Sequence, residues 1–274
     1  MKWALNSATI MNSSWEEELP LWREFGWHAV EVWQSKIEAQ LAKGVSKEEL
    51  KRQMSDAGVA PIGMCAGAIW TLGEAFNQAN ESAAIAKSLD LAAEFGVPSL
   101  TVITIGKVGD DLPAEYDYLV ERLHVAAIQA AERGVLLNLE FLGGLPINGT
   151  LGSGIELVNR VAHPSLGLLF DLCHYYVSAS HLEELRTLDC GKLFMVHIDD
   201  SQRLPMERLG NDQRAFPGEG RIDVPGLIKG IERETGYDGY LSVELYDKGI
   251  WAMEPREVLT RLAKSLREIE SAIG

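Results

Sequence analysis

Four acidic or imidazole side chains stand at the ends of four short apolar runs in the second half of the chain. The runs end in LNLEFLG, LLFDLCH, FMVHIDD and LSVELYD, which contain Glu140, Asp171, His197 and Glu244. A charged side chain in an apolar segment is costly unless it is paired or binds a metal ion. Three carboxylates and one imidazole cannot neutralise one another, and neighbouring like charges raise each other's pKa values. A divalent cation would bind all four, and oxygen and nitrogen ligands suit manganese, magnesium, cobalt or zinc.

A repeated pattern of an amphipathic stretch, a glycine and a short apolar run must position these residues. Glycine just past a helix is the usual left-handed cap, and an apolar run after it is typical of a buried parallel strand. The glycines are Gly26, Gly58, Gly96, Gly134, Gly191 and Gly236. The predicted strands cover about residues 2–7, 28–33, 59–66, 99–105, 135–142, 166–172, 193–199 and 240–246.

Eight strand–helix units of this size predict an α/β fold, a single (β/α)8 TIM barrel domain over residues 1–274. An open doubly wound sheet is the alternative, but the segment ALNSATIMNSS lacks the glycine-rich loop that often follows the first strand of such sheets. In a TIM barrel the catalytic rim lies at the carboxyl ends of the strands. The four side chains should therefore meet there, unless they are unrelated solvated residues at separate strand ends.

Composition argues against several classes of partner. The net charge of -15 opposes binding to a nucleic-acid backbone. No apolar run approaches the roughly 18 residues that a membrane span requires, and the first residues do not resemble a signal peptide. Three scattered cysteines, Cys65, Cys173 and Cys190, form no disulfide framework and fit a reducing compartment. These features predict a cytoplasmic protein that acts on a small molecule.

The segments LNLEFLG, GLLFDLCHYY, MVHIDDSQRLP, RAFPGEGRIDV and YLSVELYD resemble those of the xylose isomerase-like TIM barrels, the sugar phosphate isomerase/epimerase superfamily. Within it, the whole chain is most similar to the inosose (2-keto-myo-inositol) isomerases. The resemblance implies one divalent metal ion, manganese before magnesium, cobalt or zinc, with Glu140, Asp171, His197 and Glu244 as ligands.

The resemblance also implies a reaction on a small unphosphorylated sugar or inosose. Glu140 and Glu244 would act as acid and base on opposite faces of the substrate. One of them removes the proton beside a carbonyl, and an enediolate forms whose charge the metal stabilises. Return of the proton to the neighbouring carbon isomerises the sugar, and return to the opposite face of the same carbon epimerises it.

Further residues are candidates for substrate binding by the same resemblance. His174 corresponds to a substrate-binding histidine of the family, and the alternative is that it orients a metal ligand. Arg203 lies where the ketose 3-epimerases have an arginine that contacts substrate, whereas the inosose isomerases lack a basic residue there. Arg214 belongs to the shared loop RAFPGEG, in which Glu219 either anchors the loop or faces the pocket.

Near the first strands, Asn6 and Glu31 are placed to hydrogen-bond substrate hydroxyls. Asp199 alternates with His197 along its strand and is expected to brace a ligand or a substrate hydroxyl. Aromatic residues could form the pocket wall or belong to the core. They are Trp33, Trp70, Phe141 and Trp251.

Other functions remain open on this scaffold. A lyase that dehydrates an inosose or dehydroshikimate, or cleaves a 3-keto-glycoside, would begin with the same proton abstraction. A three-zinc endonuclease would need more histidines at the rim, and a non-catalytic sugar binder would not need two opposed glutamates. The last helix, PREVLTRLAKSLREIESAI, closes the barrel and could also form the interface of a homo-oligomer.

Overall fold

Parallel strands form a closed barrel in the computed structural model, which describes residues 1–71 and 78–274, with side chains described except at residues 70, 78 and 79. The strands in chain order are β1 (Lys2–Asn6), β2 (Ala29–Trp33), β3 (Ala60–Trp70), β4 (Ser99–Ile105), β5 (Leu136–Glu140), β6 (Leu166–Asp171), β7 (Leu193–Ile198), β8 (Asp200–Ser201), β9 (Arg214–Ala215) and β10 (Tyr240–Val243). Around the barrel the order is β1, β10, β7, β6, β5, β4, β3 and β2. The short strands β8 and β9 pair antiparallel above the rim.

Helices connect the strands and cover the outside of the barrel. They are α1 (Trp15–Glu24), α2 (Gln34–Ala42), α3 (Lys47–Asp56), α4 (Gln78–Phe95), α5 (Leu112–Glu132), α6 (Leu151–Val161), α7 (Leu172–Tyr176), α8 (Val224–Thr235), α9 (Lys248–Trp251) and α10 (Pro255–Ile273). In the described part of the chain, none of them is a candidate membrane span.

Local signals in the sequence explain where helices begin and end. Ser14 and Glu17 form a reciprocal capping box at the start of α1. The six predicted cap glycines all have positive φ, between 66° and 75°. Helix α6 is capped instead by Ala162, which adopts a left-handed conformation with φ of 50°.

The predicted TIM barrel is confirmed, and closure of the sheet excludes the open doubly wound alternative. Strand boundaries differ at two places that bear on the site. Strand β3 continues to Trp70 and bulges between Cys65 and Gly67. Strand β10 ends at Val243, so Glu244 follows it, although the Glu244 N–H still donates to the Ile198 carbonyl at 3.1 Å. The barrel ladder therefore holds Glu244 in place.

The loop between β8 and α8 is anchored by one buried carboxylate, Asp200. Its oxygens accept hydrogen bonds from the backbone N–H groups of Ser201, Gly218, Gly220 and Ile222. A Cβ atom at Gly220 would collide with the Ser201 carbonyl and the Asp200 carboxylate, so this position of PGEG requires glycine. This anchor fixes the loop that carries Arg214.

Candidate active site

The four predicted metal ligands lie on four adjacent barrel strands. Glu140 ends β5, Asp171 ends β6, His197 is the penultimate residue of β7, and Glu244 directly follows β10. One ligand atom from each lies within 4.8 Å of the others, and all four residues are buried. Since parallel barrel strands present their carboxyl ends at one rim, four distant segments converge there.

Unpaired atoms at the centre of this group fit a cation. His197 Nδ1 and Glu140 Oε1 are buried and have no hydrogen-bond partner among the described residues. His197 Nδ1 lies 3.3 Å from Glu244 Oε2, 3.6 Å from Glu140 Oε1 and 3.9 Å from Asp171 Oδ2. Buried polar atoms are normally satisfied, and an imidazole nitrogen with three carboxylates can bind a divalent ion. These four residues therefore fit one divalent metal ion.

Without a cation, protons compensate part of the negative charge in this group. Burial raises the pKa of Glu140 to about 7, with Glu244 and Asp171 adding to the rise and His197 opposing it. Burial alone would lower the pKa of His197, but the charges of Glu31 and Glu244 outweigh it and raise that pKa well above its ordinary value. The metal-free site thus holds protons where a cation would otherwise bind.

Arg214 forms a buried ion pair with Asp171. Its Nη1 donates to both carboxylate oxygens of Asp171, at 2.8 and 2.9 Å, and it also contacts Asp199. Nε and Nη2 donate to the carbonyl and side-chain oxygens of Asn211, at 3.1 and 2.9 Å. Burial alone would raise the pKa of Asp171, but the charges of Arg214 and two histidines outweigh it and lower that pKa to about 2. Asp171 is therefore ionised and fixed in orientation.

Arg214 differs from its predicted role, whereas the position of Asp199 agrees with the prediction that it braces a ligand. The Arg214 side chain is fully buried and does not line the cavity, so its contacts indicate a positioning role for Asp171 rather than the predicted substrate contact. Asp199 is fully buried and contacts Arg214, so it supports the ligand Asp171 indirectly, through Arg214.

His174 lines the cavity beside the ligand group. Its Nε2 lies 3.9 Å from Glu140 Oε1. Burial lowers the pKa of His174 to about 3, with Arg214 and His197 acting in the same direction, so the ring is neutral. The Gly143 N–H lies 3.1 Å from Nδ1 and Arg214 Nη2 lies 3.2 Å from Nε2, and a neutral imidazole can accept from only one of them. This position supports the predicted contact with substrate.

Asn6 connects the ligand group to a buried glutamate. Its Nδ2 donates to Glu244 Oε1 and to Glu31 Oε2, both at 3.1 Å, while Oδ1 accepts from Trp33 Nε1 at 2.9 Å. Asn6 and Glu31 are both fully buried. Both side chains therefore form their hydrogen bonds within the protein. Their contacts indicate that they position the ligands, and not that they bind substrate hydroxyls as predicted.

A cavity of about 450 Å³ opens beside the ligands and is lined by Glu140 and Glu244. Trp33 and Tyr246 form part of its wall, with stacked rings whose centroids lie 6.2 Å apart. Among the described lining residues there are three carboxylates, the third from Glu38, and no lysine or arginine. The cavity is suited to an uncharged polyol and offers no cationic side chain to an anion.

Other sequence candidates lie elsewhere. Arg203 is exposed and donates to the Glu219 carbonyl at 3.3 Å, outside the cavity lining, so the structure does not bring it to the ligands. Glu219 pairs with Arg261 of α10 and anchors its loop. Phe141 packs edge-on against another ring in the core. The predicted contact of Trp70 falls on a side chain outside the described residues.

Several lining residues were missed by sequence reasoning, among them Glu38, Tyr246 and Asn211. Tyr246 stands two positions after Glu244, and this alternation was a usable signal. Asn211 lies in an irregular loop whose path depends on the Asp200 anchor, and no local pattern points to it.

Replacing Arg214 by methionine should destabilise the fold strongly. The change leaves Asp171 and Asp199 buried without their cation, and breaking a buried pair in this way typically costs about 3–5 kcal/mol. The measurement is urea unfolding of protein treated with a chelator. Arg203→Met is the matched control, because an exposed arginine with one long hydrogen bond should change the free energy of unfolding by less than about 0.5 kcal/mol. Equal effects of the two changes would contradict the assigned role.

Several known proteins are similar in sequence to this chain. The inosose isomerase of Bacillus velezensis is 26% identical, over 100% of this chain and 97% of the relative. The 3-dehydroshikimate dehydratase of Pseudomonas putida is 29% identical over 67% of this chain but only 29% of its own length.

A crystal structure of the IolI protein with a bound zinc atom superposes with a TM-score of 0.89 at 24% identity, covering 100% of this chain and 99% of that one. At this level of identity, the likeness shows the fold. The family model described as xylose isomerase-like TIM barrel matches residues 19–269. This chain therefore belongs to the xylose isomerase-like TIM barrel family.

Proposed function

We propose that this protein is a divalent-metal-dependent isomerase or epimerase of a small unphosphorylated sugar or inosose. The observation that carries the proposal is the convergence of Glu140, Asp171, His197 and Glu244 within 4.8 Å beside a cavity that two of them line. Similarity to an inosose isomerase along the whole chain supports the same activity.

Glu140 and Glu244 are placed to transfer the proton, because they belong to the ligand group and also line the cavity. One carboxylate would remove the proton beside the substrate carbonyl, and the same or the other would return it. A bound divalent ion would supply Lewis acidity, which polarises the carbonyl and acidifies the adjacent C–H. Return to the neighbouring carbon gives isomerisation, and return to the opposite face of the same carbon gives epimerisation.

The other cavity residues select and orient the substrate. His174 would form a hydrogen bond with a substrate oxygen next to Glu140. The faces of Trp33 and Tyr246 would pack on the C–H face of a sugar or cyclitol ring. The described lining carries no lysine or arginine to bind a phosphate, which supports an unphosphorylated substrate.

A lyase is the second candidate, and the similarity to a 3-dehydroshikimate dehydratase favours it. Dehydration would start with the same proton abstraction. However, dehydroshikimate carries a carboxylate, and the described cavity lining provides no cationic side chain to bind it. The geometry therefore favours an uncharged polyol ketone.

Metal identity and cellular location belong to the same proposal. Manganese is our first candidate for this oxygen-rich ligand set, and the bound zinc of the IolI structure supports zinc as an alternative. All three cysteines are unpaired, and Cys190 is exposed, which supports a reducing cytoplasm.

Product analysis tests this proposal. Metal-loaded protein is incubated separately with an inosose and with 3-dehydroshikimate, and the products are followed by NMR and mass spectrometry. We expect an isomeric inosose of unchanged mass and little conversion of dehydroshikimate. Loss of water from either compound as the main reaction would favour the lyase.

A further inference from the structure

We propose that Glu31 is a positioning residue that directs the metal-binding nitrogen of His197 and orients a second ligand, Glu244. This inference rests on the proposed metal-dependent function. Glu31 lies on β2, which is separated from β7 by β1 and β10 around the barrel, so its contact with His197 is made inside the barrel. His197 Nε2 lies 2.9 Å from Glu31 Oε2, and both side chains are fully buried.

Both carboxylate oxygens of Glu31 have hydrogen-bond partners in the barrel. Glu31 accepts hydrogen bonds from side chains on five other segments, at distances between 2.9 and 3.3 Å. The donors are Asn6 Nδ2, Cys65 Sγ, Thr101 Oγ1, His197 Nε2 and Ser242 Oγ. Oε2 accepts from Asn6 Nδ2, a group that can only donate, and lies beside His197 Nε2. Glu31 therefore presents an acceptor oxygen to His197 beneath the ligand group.

This carboxylate determines which nitrogen of His197 is free. In the neutral ring that binds a metal ion, donation of Nε2–H to Glu31 leaves the lone pair on Nδ1, the atom near Glu140, Asp171 and Glu244. Nδ1 has no hydrogen-bond partner among the described residues. A carboxylate on the far nitrogen fixes the tautomer and ring orientation of a metal-binding histidine and makes it more basic.

The same carboxylate reaches a second ligand through Asn6. The two N–H bonds of Asn6 Nδ2 point to Glu31 Oε2 and to Glu244 Oε1, each at 3.1 Å. Since Asn6 is fully buried and its oxygen is also bonded, it has little freedom to turn. Glu31 thereby influences two of the four ligands without lining the cavity itself.

Glu31→Gln tests this inference, because glutamine keeps the shape and can keep an oxygen towards His197. The Thr101 hydroxyl and the Cys65 thiol, which meet the other oxygen, can turn to accept from the new amide. We expect the affinity of metal-stripped protein for Mn²⁺, measured by calorimetric titration, to fall by about 10–100-fold. Glu219→Gln is the matched control: it makes the same chemical change at a carboxylate that pairs with Arg261 outside the cavity, and it should bind Mn²⁺ nearly as the wild type does.

NMR of zinc-loaded protein with ¹⁵N-labelled histidine provides a second readout. It would not change if the role of Glu31 were purely structural. In the wild type we expect His197 to show a strongly hydrogen-bonded proton on Nε2 and zinc on Nδ1, and in Glu31→Gln we expect that proton signal to shift upfield. Because the wild-type spectrum alone tests the tautomer, the inference stays testable even if the variant does not fold.

The failures of the two proposals can be told apart. A wild-type protein that binds neither Mn²⁺ nor Zn²⁺ would overturn the proposed function and this inference together. A wild type that binds the ion, with Glu31→Gln binding equally well or with zinc on Nε2, would overturn the role of Glu31 and leave the proposed function intact.

Discussion

Glu244→Gln is expected to lower the rate of substrate proton exchange by about 10²–10⁴-fold, the usual contribution of a general base. Glutamine preserves the shape of the side chain, but it cannot accept the proton. The measurement is uptake of deuterium beside the carbonyl of an inosose in heavy water. Asn6 Nδ2, which donates to Glu244 Oε1, can still meet the amide oxygen, so the structural change is small.

Two controls separate loss of the base from other effects. Metal content is measured in the same samples, because Glu244 is also a ligand candidate. Glu219→Gln removes a carboxylate from the neighbouring loop, where Glu219 pairs with Arg261 outside the cavity, and it should exchange at the wild-type rate. Wild-type exchange by a metal-loaded Glu244→Gln protein would show that Glu244 is not needed for proton transfer.

Metal binding should strengthen steeply with pH across the neutral range. The pKa of Glu140 is raised to about 7 by burial, and the pKa of His197 is raised well above its ordinary value. Both groups must lose their protons before they can bind a cation, so each proton released strengthens apparent affinity by about tenfold per pH unit. Affinity should level off once the pH exceeds both pKa values.

The free energy of unfolding of the metal-free protein should decrease as the pH rises. Glu140 in the folded state binds its proton more tightly than in the unfolded chain, where its pKa is near 4.5. Its contribution to the free energy of unfolding is therefore fully present below about pH 4.5 and is lost as the pH rises through about 7. Thermal unfolding with a chelator and with Mn²⁺, between about pH 5 and about pH 8, measures both trends. A gain in Tm from Mn²⁺ that is independent of pH would contradict protonation of these ligands.

Sequence reasoning could locate the four metal-ligand candidates because strand ends are local features. Each of Glu140, Asp171, His197 and Glu244 ends an apolar run, and the regular strand–helix repeat predicts that such ends share one rim. Small errors in strand length did not matter here: the predicted strand 240–246 ends at Val243 in the structure, but Glu244 stays attached to the ladder.

The residues that position these ligands could not be predicted from the strand ends. Glu31 and Asn6 meet His197 and Glu244 inside the barrel, across strands that are far apart in sequence. Whether a polar residue at a strand end faces substrate or another ligand depends on how the strands tilt and pack. Single-strand patterns do not contain that information, which is why both were predicted to bind substrate.

Local sequence also could not predict which arginine of the loop after β7, Arg203 or Arg214, reaches the ligand group. Both arginines lie in motifs that resemble the family, but only Arg214 reaches the ligand group, where it binds Asp171. The Asp200 anchor and the pairing of β8 with β9 direct Arg214 inward, while Arg203 stays at the surface. The conformation of an irregular loop depends on such tertiary contacts.

A metal titration that follows occupancy and turnover in the same samples tests the central claim most directly. Metal-stripped protein receives increasing amounts of Mn²⁺, and bound metal and conversion of an inosose are measured at each step. The account predicts that activity is absent without metal, rises in proportion to bound metal and saturates at one ion per chain. Full activity in metal-free protein, or saturation at more than one ion per chain, would contradict a single catalytic ion bound by Glu140, Asp171, His197 and Glu244.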